Sequence, residues 1–237
     1  MELIMKKTIA SFVTALFLIG CADGGSTQNA GSHYNYTFAV DTEGWQGGFA
    51  DYDRDLESIY ELRFSHSTLP EPLDTHEGAV RISGNNHSDD LFMFMKTRIN
   101  ELDANATYAV TFTVEFASNV ADGMVGIGGS PGEGVVIKAG ATAFEPKAIV
   151  DGSGYYRMNI DKGTQSNSGR DMVVIGDFSN DSDANVYKLK TVRNAAPLYV
   201  TADENGSVWL IVGTDSGFEG VTEIYYNDVT VDLQKRD

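Results

Sequence analysis

The stretch Thr107–Ser118, TYAVTFTVEFAS, decides the fold. Tyr108, Val110, Phe112, Val114 and Phe116 fall on one face, and Thr111, Thr113 and Glu115 on the other. A period of two over twelve residues is the mark of an antiparallel strand with one buried face. The same period recurs outward from it. GAVRISG turns Val80 and Ile82 one way, Arg81 and Ser83 the other. YYNDVTVDL groups Tyr225, Asn227, Val229, Val231 and Leu233 against Tyr226, Asp228, Thr230 and Asp232. VWLIVGT is apolar on both faces, which predicts a central strand over Val208–Val212 covered on both sides. DMVVIGDF and APLYVT read as further strands, with Gly, Asn, Asp and Ser filling the gaps. No segment after residue 20 keeps a helical period for three turns, so the fold class is all-β, an antiparallel sandwich or barrel.

The ends set the organisation. MELIMKK carries Lys6 and Lys7 ahead of TIASFVTALFLIG, an apolar run short for a bilayer span, which is the layout of an export signal. The run ends in LIGC, which resembles the bacterial lipobox. That resemblance implies cleavage before Cys21 and lipid on its thiol and new amino group. Residue 22 is Ala rather than Asp, which by the same analogy implies the outer membrane. ADGGSTQNAGSH then reads as a flexible tether. The expected organisation is a signal peptide over 1–20, a lipidated tether over 21–33 and one domain over 34–237. The chain holds one Cys, so a mature domain without disulfides must rest on its core, and about 200 residues suffice for that.

The formal charge is −17. Residues 1–20 contribute Lys6, Lys7 and Glu2, a net +1, so the remainder carries −18. Such a surface repels nucleic acid and anionic lipid, and no basic tract overrides it. The membrane is therefore met through the lipid anchor alone.

Three blocks resemble the jelly-roll carbohydrate-binding modules of galactose-binding-like type. They are FAVDTEGWQGGFADY over 38–52, LFMFMKTRINELDANATYAVTFTVEFAS over 91–118, and VWLIVGTDSGFEGVTEIYYNDVTV over 208–231. They occur in the order of that family's strands and cover about a third of the chain. SGNNHSDDLFMF, YYRMNIDKGTQSNSG and VGTDSGFEG also resemble a group of secreted bacterial lipoproteins, a resemblance that implies no activity. The family resemblance implies a jelly-roll β-sandwich, carbohydrate as partner and a structural Ca²⁺ near the first strands. Because jelly rolls host lectins, enzymes and scaffolds alike, the site must carry the function.

Four stretches are candidates for it. In GNNHSDDLFMF, Gly84–Phe94, a polar loop runs straight into a strand. With Leu91, Met93 and Met95 facing the core, Phe92 and Phe94 face away, beside Lys96 and Arg98. An aromatic platform rimmed by Asn85, Asn86, Asp89 and Asp90 would suit a sugar. The alternative is that the second face is covered too and the loop satisfies itself. In GYYRMNIDKGTQSNSGRD, Tyr156, Met158 and Ile160 point in, while Tyr155, Arg157, Asn159 and Asp161 point out as further contacts, and the long polar run that follows is a candidate functional loop. DYDRDLE spaces Asp51, Asp53, Asp55 and Glu57 at intervals of two, oxygen ligands of a kind Ca²⁺ takes; Leu56 and Leu62 occupy positions that an EF-hand gives to Gly and Glu, so it is no EF-hand. GTDSGFEG, with Asp215 and Glu219, is a weaker acidic loop of the same kind. Trp45 is a core anchor at the sandwich edge or a sugar platform, and Trp209 is core.

Catalytic signatures are sparse. His33, His66, His76 and His87 form no zinc spacing, and there is no Gly-x-Ser-x-Gly elbow. VIKAG over 136–140 slightly resembles a strand of jelly-roll alginate lyases, but their Gln-Ile-His and Arg-x-Glu-Leu elements are missing. The sequence reads as a cell-surface lipoprotein that binds carbohydrate without chemistry, with Ca²⁺ as its one candidate cofactor. A polysaccharide-degrading jelly roll and a structural or partner-binding lipoprotein are the alternatives. A degrading enzyme would need two opposed carboxyls about 5–10 Å apart.

Overall fold

Alternating sequences of this kind bury one face and bond edge to edge, as Thr107–Ser118 does, while the doubly apolar strands are buried on both faces. A computed structural model describes residues 31–237. Cys21, the signal segment and most of the tether lie outside the described residues. The strands are β1 (Ser32–Tyr36), β2 (Gln46–Ala50), β3 (Tyr52–Asp53), β4 (Arg63–Thr68), β5 (Gly78–Asn85), β6 (Leu91–Ile99), β7 (Thr107–Ser118) and β8 (Val135–Thr142). They continue with β9 (Ala148–Val150), β10 (Tyr155–Met158), β11 (Met172–Asp177), β12 (Lys188–Arg193), β13 (Leu198–Thr201), β14 (Val208–Ser216) and β15 (Val221–Lys235). One 3₁₀ helix spans Arg54–Tyr60.

Two antiparallel sheets face each other as a jelly-roll β-sandwich. The first has the order β12-β7-β15-β5-β4. Its long strand β15 gives one edge to β7 and divides the other between β5 and β1. The second sheet has the order β11-β8-β14-β6-β2, with β14 at its centre as its doubly apolar sequence predicts. Between them lies the main core. Val80, Ile82, Phe112, Val114 and Phe116 meet Leu91, Met93, Met95, Ile137, Leu210 and Val212.

The alternation in β15 is interrupted. A bulge between Tyr226 and Asp228 shifts the register against β7. Tyr226 therefore joins Val229, Val231 and Leu233 in the core, and Tyr225 turns to the opposite face beside Leu69, Ala79 and Ala117. A strict period of two predicts the reverse, because one extra residue exchanges the faces. Trp45 is a core anchor, 2% exposed and edge-on to Tyr36 and Phe38. Trp209 departs from expectation: it is only half-buried, on the outer face of the second sheet, with the Lys96 ammonium 5.4 Å from its ring centroid.

That outer face has a cover of its own. A small sheet, β3-β10-β9, lies over it. Ile160, Met158 and Ala148 pack onto Ala50, Phe92, Phe94, Met172 and Ile211 to make a second apolar cluster. The glycine pair in β2 makes room for this. A Cβ on Gly48 would lie 2.3 Å from the Phe94 ring, and one on Gly47 would lie 2.2 Å from Phe64 on the other side of the strand.

Candidate functional site

The covering layer removes the expected aromatic platform. Phe92 and Phe94 are stacked at 5.4 Å and are 0% and 2% exposed, beneath Met158 and Ile160. They are core residues and offer no ring to a sugar. The reason is visible in LFMFMK, which is apolar on both faces, and a strand of that kind must be covered twice.

Charge closes the second cluster at both ends. At one end the Lys96 ammonium donates to Glu145 Oε1 and to the Pro146 carbonyl, both at 2.7 Å. Asn159 reinforces this end, accepting from Lys147 N at 2.7 Å and donating to the Glu145 carbonyl at 2.9 Å. Asn159 is thus a clamp rather than a ligand contact.

At the other end six ionic side chains alternate in sign from the interior outward. Lys138 of β8 is wholly buried and donates to Asp215 Oδ2 at 2.8 Å. Asp215, wholly buried at the end of β14, accepts from the Lys162 ammonium at 2.7 Å on the same oxygen. Lys162 lies 2.9 Å from Asp51 Oδ2 and sits over the Phe92 ring at 4.9 Å. Arg157 donates to Asp51 Oδ1 at 2.9 Å and lies 3.5 Å from Asp90 Oδ2. Burial would lower the pKa of Lys162, but the carboxylates of Asp215 and Asp51 outweigh it and hold the pKa above the ordinary lysine value. Burial prevails at Lys138 and lowers its pKa despite Asp215. Burial, reinforced by Asp51 and Asp215, raises Asp90 to about 6, against the opposing pull of Lys162 and Arg157.

Loops hold these groups in place. Lys138 also donates to the carbonyls of Lys162 and Asn167, at 2.9 and 3.0 Å, and so fastens the run GTQSNSG to the sheet. Asp161 accepts from Gly163 N and Arg170 N and ties the two ends of that run; these backbone donors hold its carboxyl below the ordinary range. Gln165 bridges to the Asp89 carbonyl at 2.8 Å. Asp51 and Asp89 stand at φ 66° and 56°, in the left-handed region that Asp tolerates better than most residues. Asn86 is 2% exposed and donates to the carbonyls of Ser216 and Phe218, both at 2.9 Å, which makes it a structural brace. Asn85 reaches Glu61 at 3.4 Å, at the rim of the first sheet.

What remains open is a cleft of about 280 Å³ where Asp51, Asp90, Arg157, Asp161, Lys162 and Thr164 surround the edges of Met158 and Ile160. Tyr155 flanks it, with the Arg157 guanidinium 5.1 Å from its ring centroid. Of the ten expected contacts, Asp90, Arg157 and Asp161 line the cleft, Tyr155 borders it and Asp89 belongs to its frame. Lys138, Lys162 and Asp215 escaped sequence reading as a set. The available signal was a lysine inside the apolar run VVIKAGA, a charge that a buried strand tolerates only beside a partner.

The expected calcium ligands do not converge. Asp53 caps the 3₁₀ helix by accepting from Asp55 N at 2.9 Å, Asp55 pairs with Arg54, and Glu57 accepts from the Tyr52 hydroxyl at 3.1 Å. Alternation by two separates side chains along a strand, and here the chain turns into a helix after Asp53. Only Asp51 enters the ionic row. Among the described residues, Asp51, Asp90 and Asp215 bring one oxygen each to within 4.8 Å of one another. Three carboxylates there already face three cations, Lys138, Lys162 and Arg157, so a divalent ion would add uncompensated charge.

No family model matches the chain, and no curated protein does. Solved structures do match. The chain is similar to the CBM22-1 xylan-binding domain of Xyn10C from Paenibacillus barcinonensis, with 10% identity, TM-score 0.40, and coverage of 89% of this chain and 100% of that one. It is similar to TmCBM27, a carbohydrate-binding module described by its specific mannan recognition, with 10% identity, TM-score 0.42, and coverage of 88% and 99%. It is also similar to the enzymatically active domain of tailspike protein 4 of bacteriophage CBA120, at 8% identity and TM-score 0.34; 79% of this chain matches, but only 19% of the length of that one. Carbohydrate-binding modules are thus among the structural neighbours of this jelly-roll chain, and the likeness is one of fold.

Proposed function

We propose that this chain is a surface lipoprotein whose sandwich binds carbohydrate without chemistry, through the cleft beside Arg157 and Asp90. The observation that carries the reading is the close interleaving of donors and acceptors in that cleft. Two cations, Arg157 and Lys162, stand among three carboxylates, Asp51, Asp90 and Asp161, so the site has strong donors beside strong acceptors and a small excess of negative charge. Such a surface gives an anionic ligand little net attraction. It suits a ligand whose groups both donate and accept, which is the chemistry of sugar hydroxyls. Asp51, the carboxylate beside Asp90, has both oxygens engaged by cations, which favours binding over nucleophilic or general-base use.

Topology supports a surface role. Ser32 pairs with Leu233 at one end of β15, and Val221 pairs with Asn85 at the other, about 40 Å away at ~3.3 Å per residue. The cleft lies at the Val221 end, where β14 finishes and β6 begins. A tether entering at Ser32 would hold the cleft away from a bilayer. Among the described residues no helix is long and apolar enough to cross a membrane. Cys21→Ser is expected to abolish lipid attachment and membrane fractionation; retention of lipid on the variant refutes the lipobox.

The calcium component of the reading belongs on the other sheet. Glu77, Glu115, Asn227 and Asp228 line a cleft of about 310 Å³, and among the described residues no Lys, Arg or His lies within 4 Å of these carboxylates. Asn227 is 6% exposed and its Oδ1 has no hydrogen-bond partner among the described residues, while its amide nitrogen donates to Glu77 and Glu115. Turning that amide over would add an oxygen to the acidic set, of the kind Ca²⁺ takes. Added Ca²⁺ is expected to raise the melting temperature, and Glu115→Gln to remove the rise.

The test of the binding reading is a panel of soluble neutral and acidic polysaccharides titrated calorimetrically against the full chain in detergent, with Ca²⁺ present. Saturable heat with any one supports it. Flat traces across the panel refute it.

A further inference from the structure

The row of six charges is graded in its exposure. Lys138 and Asp215 are wholly buried, Lys162 and Asp51 nearly so, and the outermost pair, Arg157 and Asp90, keeps 45% and 31% of its side-chain surface. The links within the row measure 2.7–2.9 Å up to Arg157, and the final one, Arg157 to Asp90, is 3.5 Å. Asp90 Oδ1 is enclosed, with no hydrogen-bond partner among the described residues, while the side chain as a whole stays 31% open and its Oδ2 is met by Arg157 only at 3.5 Å. Arg157 is held from its inner side by Asp51 and from its outer side by Asp151 at 3.7 Å, so its plane is fixed while donors remain. The looser outer pair therefore presents one fixed donor group beside one loosely held, part-exposed carboxylate.

The geometry points to Arg157 and Asp90 as the ligand-reading pair, and to a neutral saccharide with two adjacent hydroxyls as the ligand, one hydroxyl accepting from Arg157 while its neighbour donates to Asp90. This rests on the carbohydrate reading above and narrows it. A uronate carboxylate could take Arg157, but it would stand against Asp90, Asp151 and Asp161 on a protein of strongly negative charge. A hydroxyl pair meets both partners at once without that repulsion.

The pairing carries a pH signature. Asp90 is faced by Asp51 from the end of β2, Asp215 from β14, Lys162 from the loop after β10 and Arg157 from β10. With its carboxyl at about 6, the charged form, which is the stronger acceptor, grows about tenfold between pH 5 and pH 7.5. Affinity for the neutral sugar is expected to rise over the same interval and then level.

The experiment is calorimetric titration of the full chain with neutral polysaccharides (xylan, mannan, galactan) and uronate polymers (polygalacturonate, alginate), at pH 5.0, 6.0 and 7.5. It is repeated with Arg157→Gln and Asp90→Asn, each checked for a cooperative melt. The expected result is binding of a neutral polymer with an affinity rising roughly tenfold from pH 5.0 to 7.5. Arg157→Gln is expected to lose it, and Asp90→Asn to bind weakly with no pH dependence. Neutral-sugar binding that both folded variants retain at full affinity overturns this inference and leaves the carbohydrate reading standing. Preference for a uronate polymer overturns the ligand class. Absence of binding to every polymer at every pH overturns both.

Discussion

Replacing Lys138 by Met tests whether the ionic row is structural at its inner end. Methionine keeps the length and apolar stem but removes an ammonium with three partners, Asp215 Oδ2 and the carbonyls of Lys162 and Asn167. The site is 0% exposed, so no water replaces them without rearrangement. Removing one partner of a buried ion pair costs about 3–5 kcal/mol, because the other charge stays behind. Asp215 keeps Lys162 on the same oxygen, which favours the low end, while two orphaned carbonyls at about 1 kcal/mol each favour the high end. For a domain of this size each kcal/mol moves the melting temperature by about 2–4 °C, giving a drop of about 6–20 °C. Urea unfolding supplies the free energy, with an unchanged slope as the check that the unfolded state is the same. The double variant Lys138→Met/Asp215→Leu removes both charges and leaves Lys162 to Asp51, and it is expected to recover at least about 1 kcal/mol of the single loss. A single variant that loses less than about 1 kcal/mol refutes the view that this lysine fastens the 162–167 loop to the sheet.

Three further outcomes follow from the geometry. Asn86→Ala is expected to cost about 2–3 kcal/mol in urea unfolding, since it leaves the carbonyls of Ser216 and Phe218 without their donor. Phe92→Ala is expected to cost about 3–5 kcal/mol by opening a cavity under Met158 and Ile160; a loss near zero would mean the ring is a surface platform after all. Asp90→Asn is expected to raise the melting temperature at pH 7.5 and leave it unchanged below about pH 4. In the wild type the unfolded chain ionises Asp90 from about pH 4 while the folded protein resists until about 6, so rising pH removes on the order of 3 kcal/mol across that window. Equal melting curves for wild type and variant from pH 4 to 8 would show that Asp90 is not perturbed.

The sandwich was legible because its signal is local. Thr107–Ser118 shows its buried face by alternation, and Val208–Val212 shows its central place by being apolar throughout. The bulge in β15 was not legible, because whether Tyr225 or Tyr226 enters the core depends on how β7 pairs with it. The site was legible only in fragments. YYRMNID shows that Tyr155, Arg157 and Asp161 point away from Met158 and Ile160, which is correct, yet nothing in it says that Met158 and Ile160 would land on Phe92 and Phe94. The ionic row draws on residues 51, 90, 138, 157, 162 and 215, from five separate segments. No spacing rule joins them.

The buried aromatics and the open cleft have one cause. LFMFM is apolar on both faces, so the outer face of the second sheet needs a lid, and the β9–β10 hairpin with Ile160 supplies it. A hairpin is narrower than a five-stranded sheet, so the apolar contact must end somewhere along β6, β8 and β14. At each end a lysine ammonium sits over an aromatic ring and pairs with carboxylates, Lys96 over Trp209 with Glu145 and Lys162 over Phe92 with Asp51 and Asp215. The Lys96 end closes on a carboxylate and a backbone carbonyl. The Lys162 end needs further countercharge for two buried aspartates, and each added cation calls for another carboxylate until the row reaches solvent at Arg157 and Asp90. The layer that covers the Phe92 ring is thus the layer that builds, at its margin, a rigid array of donors and acceptors.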